Sequence, residues 1–160
     1  MRCSGGGVGH AHVEVMPTPS DPSGISSGAA APIRRRLVIA DDSPEMRWLV
    51  RSAVGAEFAE VVEAADGREL FWELLRSSRT HGENQVIVTD LCMPTYDGLE
   101  VLDAWLDLNP RVPTILITAF PSEAVRERAA QLGAVLLAKP FSTATLRAAV
   151  REVSHVHRAR

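Results

Sequence analysis

Five short apolar runs, separated by stretches whose apolar residues recur at helical spacing, constrain this chain more than any other feature. The runs are "LVIA" at 37–40, "EVVEAA" at 60–65, "VIVTD" at 86–90, "PTILIT" at 113–118 and "AVLLAK" at 134–139. Each has the length of a strand and too few residues for a buried helix. Between and after them, Met46, Val50 and Val54, then Leu70, Phe71, Leu74 and Leu75, then Leu99, Leu102 and Leu106, then Val125, Ala129 and Leu132, then Leu146, Val150 and Val153 fall on single helical faces. Strands this apolar cannot leave one face in water. They call for a parallel sheet covered by helices on both sides.

Local punctuation agrees with that division. Ser43-Pro44 reads as an N-cap followed by proline in the first turn, Ser142 is placed to cap the last helix, and Gly133 stands where the fourth should stop. The expected fold is α/β, a flavodoxin-like doubly wound five-stranded parallel sheet of strand order 2-1-3-4-5, with five helices and right-handed crossovers. The domain is expected over residues 34–157, with 158–160 as a C-terminal tail. Residues 1–33 are dominated by Gly, Ser, Ala and Pro, offer little apolar surface to offset their ordering entropy, and read as a disordered extension. In that segment "GGGVGH" follows no strand, and His10 and His12 read as idle. The basic run Arg34 to Arg36 reads as a solvated flank where the fold begins, and "SSRTHGENQ" at 77–85 as an enlarged polar loop.

A net charge of -3 and a pI near 5.9 give no electrostatic footprint for nucleic acid or an anionic membrane. Cys3 and Cys92 fit no zinc or redox spacing and read as free thiols in a reducing cytoplasm. No apolar run approaches the ~18 residues of a membrane span.

In open α/β sheets, ligands bind outside the carboxyl ends of the strands. Here those ends carry Asp41-Asp42, Asp90, Thr118 and Lys139-Pro140. Three carboxylates gathered at one edge raise one another's pKa values, and a hard divalent cation, best Mg²⁺, relieves that. Lys139 adds a fixed positive charge and Thr118 a hydroxyl donor. Together they suit the oxygens of a phosphoryl group transferred to a carboxylate, with Asp90 the best-placed nucleophile.

The segments "DDS" at 41–43, "DLCMPTYDG" at 90–98, "TAF" at 118–120 and "KPF" at 139–141 resemble, in this order, the response-regulator receiver domains of two-component signalling. The resemblance runs from about Leu37 to Val153. It implies Asp90 as the phosphoacceptor, with Thr118 and Lys139 contacting the phosphoryl oxygens. It implies Mg²⁺ held directly by Asp42 and Asp90, through water by Asp41, and by the backbone carbonyl of Cys92. The Lys139–Pro140 peptide is expected to be cis. The implied partners are a sensor histidine kinase or histidine phosphotransfer protein and a downstream protein target, with a phosphorylation-dependent homodimer also compatible. No direct contact with nucleic acid or membrane is expected, and no turnover of an external metabolite. In the resembling family the contact surface is built from the fourth helix, fifth strand and fifth helix, which Arg126, Glu127, Arg128 and Arg147 would decorate here.

Two departures bear on signalling. Leu136 stands three residues before the lysine, where the family usually has a switching aromatic ring. The chain ends at "SHVHRAR", so a single-domain form with no output domain is expected, His155 and His157 reading as a basic helix end. The rival readings are a receiver-fold adaptor that docks without phosphorylation, and a haloacid-type phosphatase or nucleotide-binding enzyme. The latter lacks a glycine-rich loop after the first strand, and Ser43 and Pro44 stand where it would need a second acid.

Overall fold

The computed structural model describes residues 35–78, 84–107 and 112–156, all within the unit Pro32–Arg160. The readings of residues 1–33, of 79–83 in the 77–85 loop and of the tail at 158–160 lie outside these residues, while Ser77 ends a helix and Gln85 opens a strand, both buried rather than part of a polar loop. The chain runs β1 (Arg36–Ala40), α1 (Pro44–Val54), a 3-10 turn (Gly55–Glu57), β2 (Glu60–Ala64), α2 (Gly67–Ser77), β3 (Gln85–Asp90), α3 (Gly98–Leu106), β4 (Thr114–Thr118), α4 (Glu123–Gln131), β5 (Val135–Ala138) and α5 (Thr143–Val156). The sheet is parallel throughout, in the order β2-β1-β3-β4-β5.

Strand periodicity divides the core in two. Leu37, Ile39, Val88, Ile115 and Ile117 face one way, onto Val50 and Val54 of α1 and Leu146 and Val150 of α5. Val38, Ile87 and Leu116 face the other, onto Leu70 and Leu74 of α2, Leu102 and Trp105 of α3 and Ala129 of α4. β1, β3 and β4 are buried on both faces, which is why their runs lack polar alternation, whereas the edge strand β2 keeps Glu60 and Glu63 exposed. Ser43 caps α1 by accepting the Met46 N–H at 3.2 Å, and Ser142 accepts the Thr145 N–H at 3.0 Å. Gly133, at φ 68°, ends α4, because the left-handed turn there costs a residue without Cβ nothing.

One further sequence reading needs correction and another gains a contact. Arg36 is not a solvated flank: it is 4% exposed, and its guanidinium bonds Glu60 at 3.2 Å and Glu73 at 2.7 Å. The first residue of β1 is covered by α2, so its charge is paired rather than hydrated. Arg147 is exposed, as the expected contact surface requires, and is also tied into the fold. Its Nε donates to the Ala53 carbonyl at 2.9 Å, tying α5 to the C-terminal end of α1, which needs a donor.

Candidate functional site

The strand order puts the end of β1 beside β3, and β3 beside β4. The chain turns sharply at each of these ends, which delivers side chains to the same edge. Asp41 and Asp90 are 2% and 7% exposed and Thr118 is fully buried, whereas Asp42 is exposed. One carboxylate oxygen from each of Asp41, Asp42 and Asp90 can be chosen so that all lie within 4.8 Å of one another.

Lys139 follows β5, its backbone N–H bonded to the Thr118 carbonyl at 2.7 Å. Its ammonium bridges the two buried acids, 2.7 Å from Asp90 Oδ2 and 3.1 Å from Asp41 Oδ2. The peptide between Lys139 and Pro140 is cis, as expected. Every polar group of Asp41 has a partner. Its N–H donates to the Ala64 carbonyl at 3.2 Å, Oδ1 accepts the Ser43 N–H at 2.9 Å, and its carbonyl accepts Nη1 of Arg47 at 2.8 Å. Arg47 in turn donates to Glu63 of β2 at 3.3 Å. Asp42 has no side-chain hydrogen bond among the described residues, so backbone alone directs its carboxylate.

Charge in this cluster is unbalanced, three acids to one ammonium. Burial pushes the Asp41 carboxyl above its ordinary pKa, even though the Ser43 N–H and Lys139 pull the other way and the Asp90 charge adds to the rise. Burial works against the charge on Lys139 as well, but hydrogen bonds and attraction from both acids outweigh it and hold the ammonium's pKa above the usual value. The all-oxygen, acid-rich donor set fits a hard divalent cation such as Mg²⁺.

The loop from β3 to α3 is held at both ends. Cys92 N–H donates to Asp90 Oδ1 at 3.3 Å, and Gly98 N–H closes the loop on the Leu91 carbonyl at 2.8 Å. A Cβ at position 98 would run into the Asp90 carbonyl oxygen, so the glycine in "YDG" is what lets α3 start against the phosphoacceptor candidate. Asp97 caps α3 in a capping box with Glu100, at 2.8 and 3.0 Å. Thr118 Oγ1 accepts the Phe120 N–H at 3.0 Å, which leaves its own proton to donate, and the Phe120 ring stands 75% exposed beside the site. Leu136 is half-buried and packs against the α2–α3–α4 side of the core.

Asp41, Asp42, Asp90, Thr118 and Lys139, drawn from strand ends in the sequence, thus converge at one edge, and Cys92, named through the resemblance, lies beside them with its N–H on Asp90. Arg47 was not foreseen. Its only signal is its position six residues after Asp41, and nothing in the sequence separates it from a solvated helix arginine.

A family model described as response regulator receiver domain matches residues 37–151. The chain is 32% identical over 123 residues to a probable chemotaxis protein CheY of Rhizobium etli, covering 74% of this chain and 91% of that protein. It is also 32% identical over 128 residues to the transcriptional regulatory protein TrcR of Mycobacterium tuberculosis, covering 77% of this chain and 48% of that one. Several of the curated relatives are longer, and the chain spans about half of their length or less. Among solved structures, the signal receiver domain of a LuxO repressor protein from Vibrio parahaemolyticus superposes with a TM-score of 0.68 at 26% identity, covering 79% of this chain and 94% of that one.

Proposed function

The chain belongs to the response-regulator receiver family, and on that premise we propose that Asp90 accepts a phosphoryl group from a phosphohistidine on a sensor histidine kinase or phosphotransfer protein. An Asp90 carboxylate oxygen forms the new bond to phosphorus as the donor's P–N bond breaks. The imidazole leaves with the electron pair and takes its proton from solvent. Lys139 then exchanges part of its contact with Asp90 for a phosphoryl oxygen, and Thr118 donates its hydroxyl proton to another. Asp41, Asp42, Asp90 and the Cys92 carbonyl are the groups that would hold Mg²⁺, which when bound supplies the positive charge a dianionic group requires here.

What supports this reading most is the ammonium of Lys139 lying between two buried carboxylates with a third acid beside them. An adaptor that only docks has no use for so much uncompensated charge, which costs stability. The chain's own chemistry is confined to its phosphorylation and dephosphorylation. Its output is a changed affinity for a downstream protein in the cytoplasm. No helix among the described residues is long and apolar enough to cross a membrane.

The test is incubation with a small phosphodonor, followed by mass. The native chain should gain one base-labile phosphoryl group when Mg²⁺ is present during the incubation and none when it is chelated beforehand, and Asp90→Asn should gain none. Mg²⁺-dependent uptake by Asp90→Asn would overturn the assignment.

A further inference from the structure

The outward faces of α2 and α3 carry an arrangement for which the phosphoacceptor site has no use. On α2, Arg68, Trp72 and Arg76 recur every four residues and all are exposed, the indole to 60%. On α3 and its C-cap, Glu100, Ala104 and Asp107 form a second exposed stripe. One helix therefore shows an arginine at each end of its stripe, the other an acid at each end. Between the helices lies a groove of about 380 Å³, lined by Phe71, Tyr96, Val101 and Ala104 with Glu100 at its edge.

A partner of one charge sign would match one stripe and oppose the other. A second copy of this chain matches both. We propose that the α2–α3 face is a self-association surface, in which two copies pack about a two-fold axis parallel to the helices so that α2 of each lies over α3 of the other. Both helices follow parallel strands and cover the same side of the sheet, so this symmetry sets them parallel across the interface. The spacing then agrees: Arg68 to Arg76 spans ~12 Å and Glu100 to Asp107 ~10.5 Å at the helical rise. Arg68 falls opposite Glu100, Arg76 opposite Asp107, and Trp72 opposite the small side chain of Ala104, at the groove. Arg76 bonds Glu73 within its own helix at 3.1 Å, but with its side chain 77% exposed that pair is weak enough to be exchanged. A face two helices wide and three turns long is at the low end of specific interfaces, so the dimer is reversible, with a dissociation constant on the order of tens of micromolar.

The experiment is sedimentation velocity on the full chain, unphosphorylated, from ~1 µM to ~1 mM, a range that brackets small interfaces. The native chain should pass from monomer to dimer. Trp72→Ala should raise the dissociation constant by about 30-fold, as for a buried aromatic anchor. Arg76→Glu and Asp107→Arg should each weaken the dimer by roughly 10-fold, since each places like charges opposite one another twice. A mixture of those two variants should dimerise more tightly than either alone, because in the mixed pair both contacts are again opposite in charge. A misfolded variant would not recover on mixing. A native chain that stays monomeric, a dimer indifferent to Trp72→Ala, or a mixture no tighter than its components would each overturn the proposal.

Discussion

On the proposed function, Asp42 is the cation ligand with the least support, since nothing but its backbone holds its side chain among the described residues. Its neighbour Asp41 is bonded at every polar atom, and the carbonyl that joins the two residues is fixed by Arg47 at 2.8 Å. Arg47 is in turn anchored by Glu63. It is therefore a positioning residue: it sets the plane of the Asp41–Asp42 peptide and so the direction of the Asp42 carboxylate. A simple charge effect has the opposite sign, since removing a cation from beside three acids should tighten Mg²⁺ binding. We expect Arg47→Ala to weaken it instead, by about 10-fold, the lower range for groups that orient metal ligands, with Arg47→Lys between the two. Titration of Mn²⁺ followed by electron paramagnetic resonance, with no phosphodonor present, reads this directly. Tighter binding by Arg47→Ala would mean that the arginine acts only through its charge.

At the scale of elements, the loop and helix after β3 show how an acidic motif can serve two ends. Asp90 and Asp97 look alike in the sequence, yet Asp90 faces the lysine and Asp97 caps α3 in a reciprocal box with Glu100. Loss of such a cap costs about 1 kcal/mol, or roughly 3–6 °C in the midpoint of a domain of this size. Asp97→Ala should show that drop by circular dichroism, while Asp97→Asn, which keeps an accepting oxygen, should show less than half of it. Equal drops would assign the effect to charge at the helix start rather than to the cap. The same elements mark what could be read in advance. All five strands and helices were legible: burial on both faces leaves β1, β3 and β4 as runs of Val, Ile and Leu, and the edge strands β2 and β5 still carry short apolar runs between turn residues. The converging strand ends were legible because parallel strands must all finish at one edge. Which arginines are tied into the fold was not, since Arg36, Arg47 and Arg147 differ from solvated arginines only in what the folded chain brings near them.

The whole molecule places charge at both ends of β1 and treats the two ends oppositely. At the start, Arg36 is met by Glu60 and Glu73, with Arg76 also on Glu73, so the pairs are balanced. Just beyond the finish, ~17 Å away at 3.3 Å per residue, Asp41 and Asp90 share one lysine with Asp42 close by. On the proposed function, the first end contributes to stability and the second keeps its uncompensated charge for a cation and a phosphoryl group. If that division is right, the ends can be damaged separately. Arg36→Met keeps the apolar stem but removes the guanidinium, leaving Glu73 to Arg76 and water. Glu60 is half exposed and can hydrate, so the cost should fall below the 3–5 kcal/mol of a fully buried broken pair, at about 2 kcal/mol. That corresponds to a midpoint lower by roughly 5–10 °C for a domain of this size. Phosphate uptake at 25 °C should stay within about 2-fold of native, because a stability loss of this size still leaves nearly every molecule folded. An Arg36→Met chain that melts like the native one would show the network to be ornamental. One that folds but takes up phosphate much more slowly would show that the two ends of the strand are coupled.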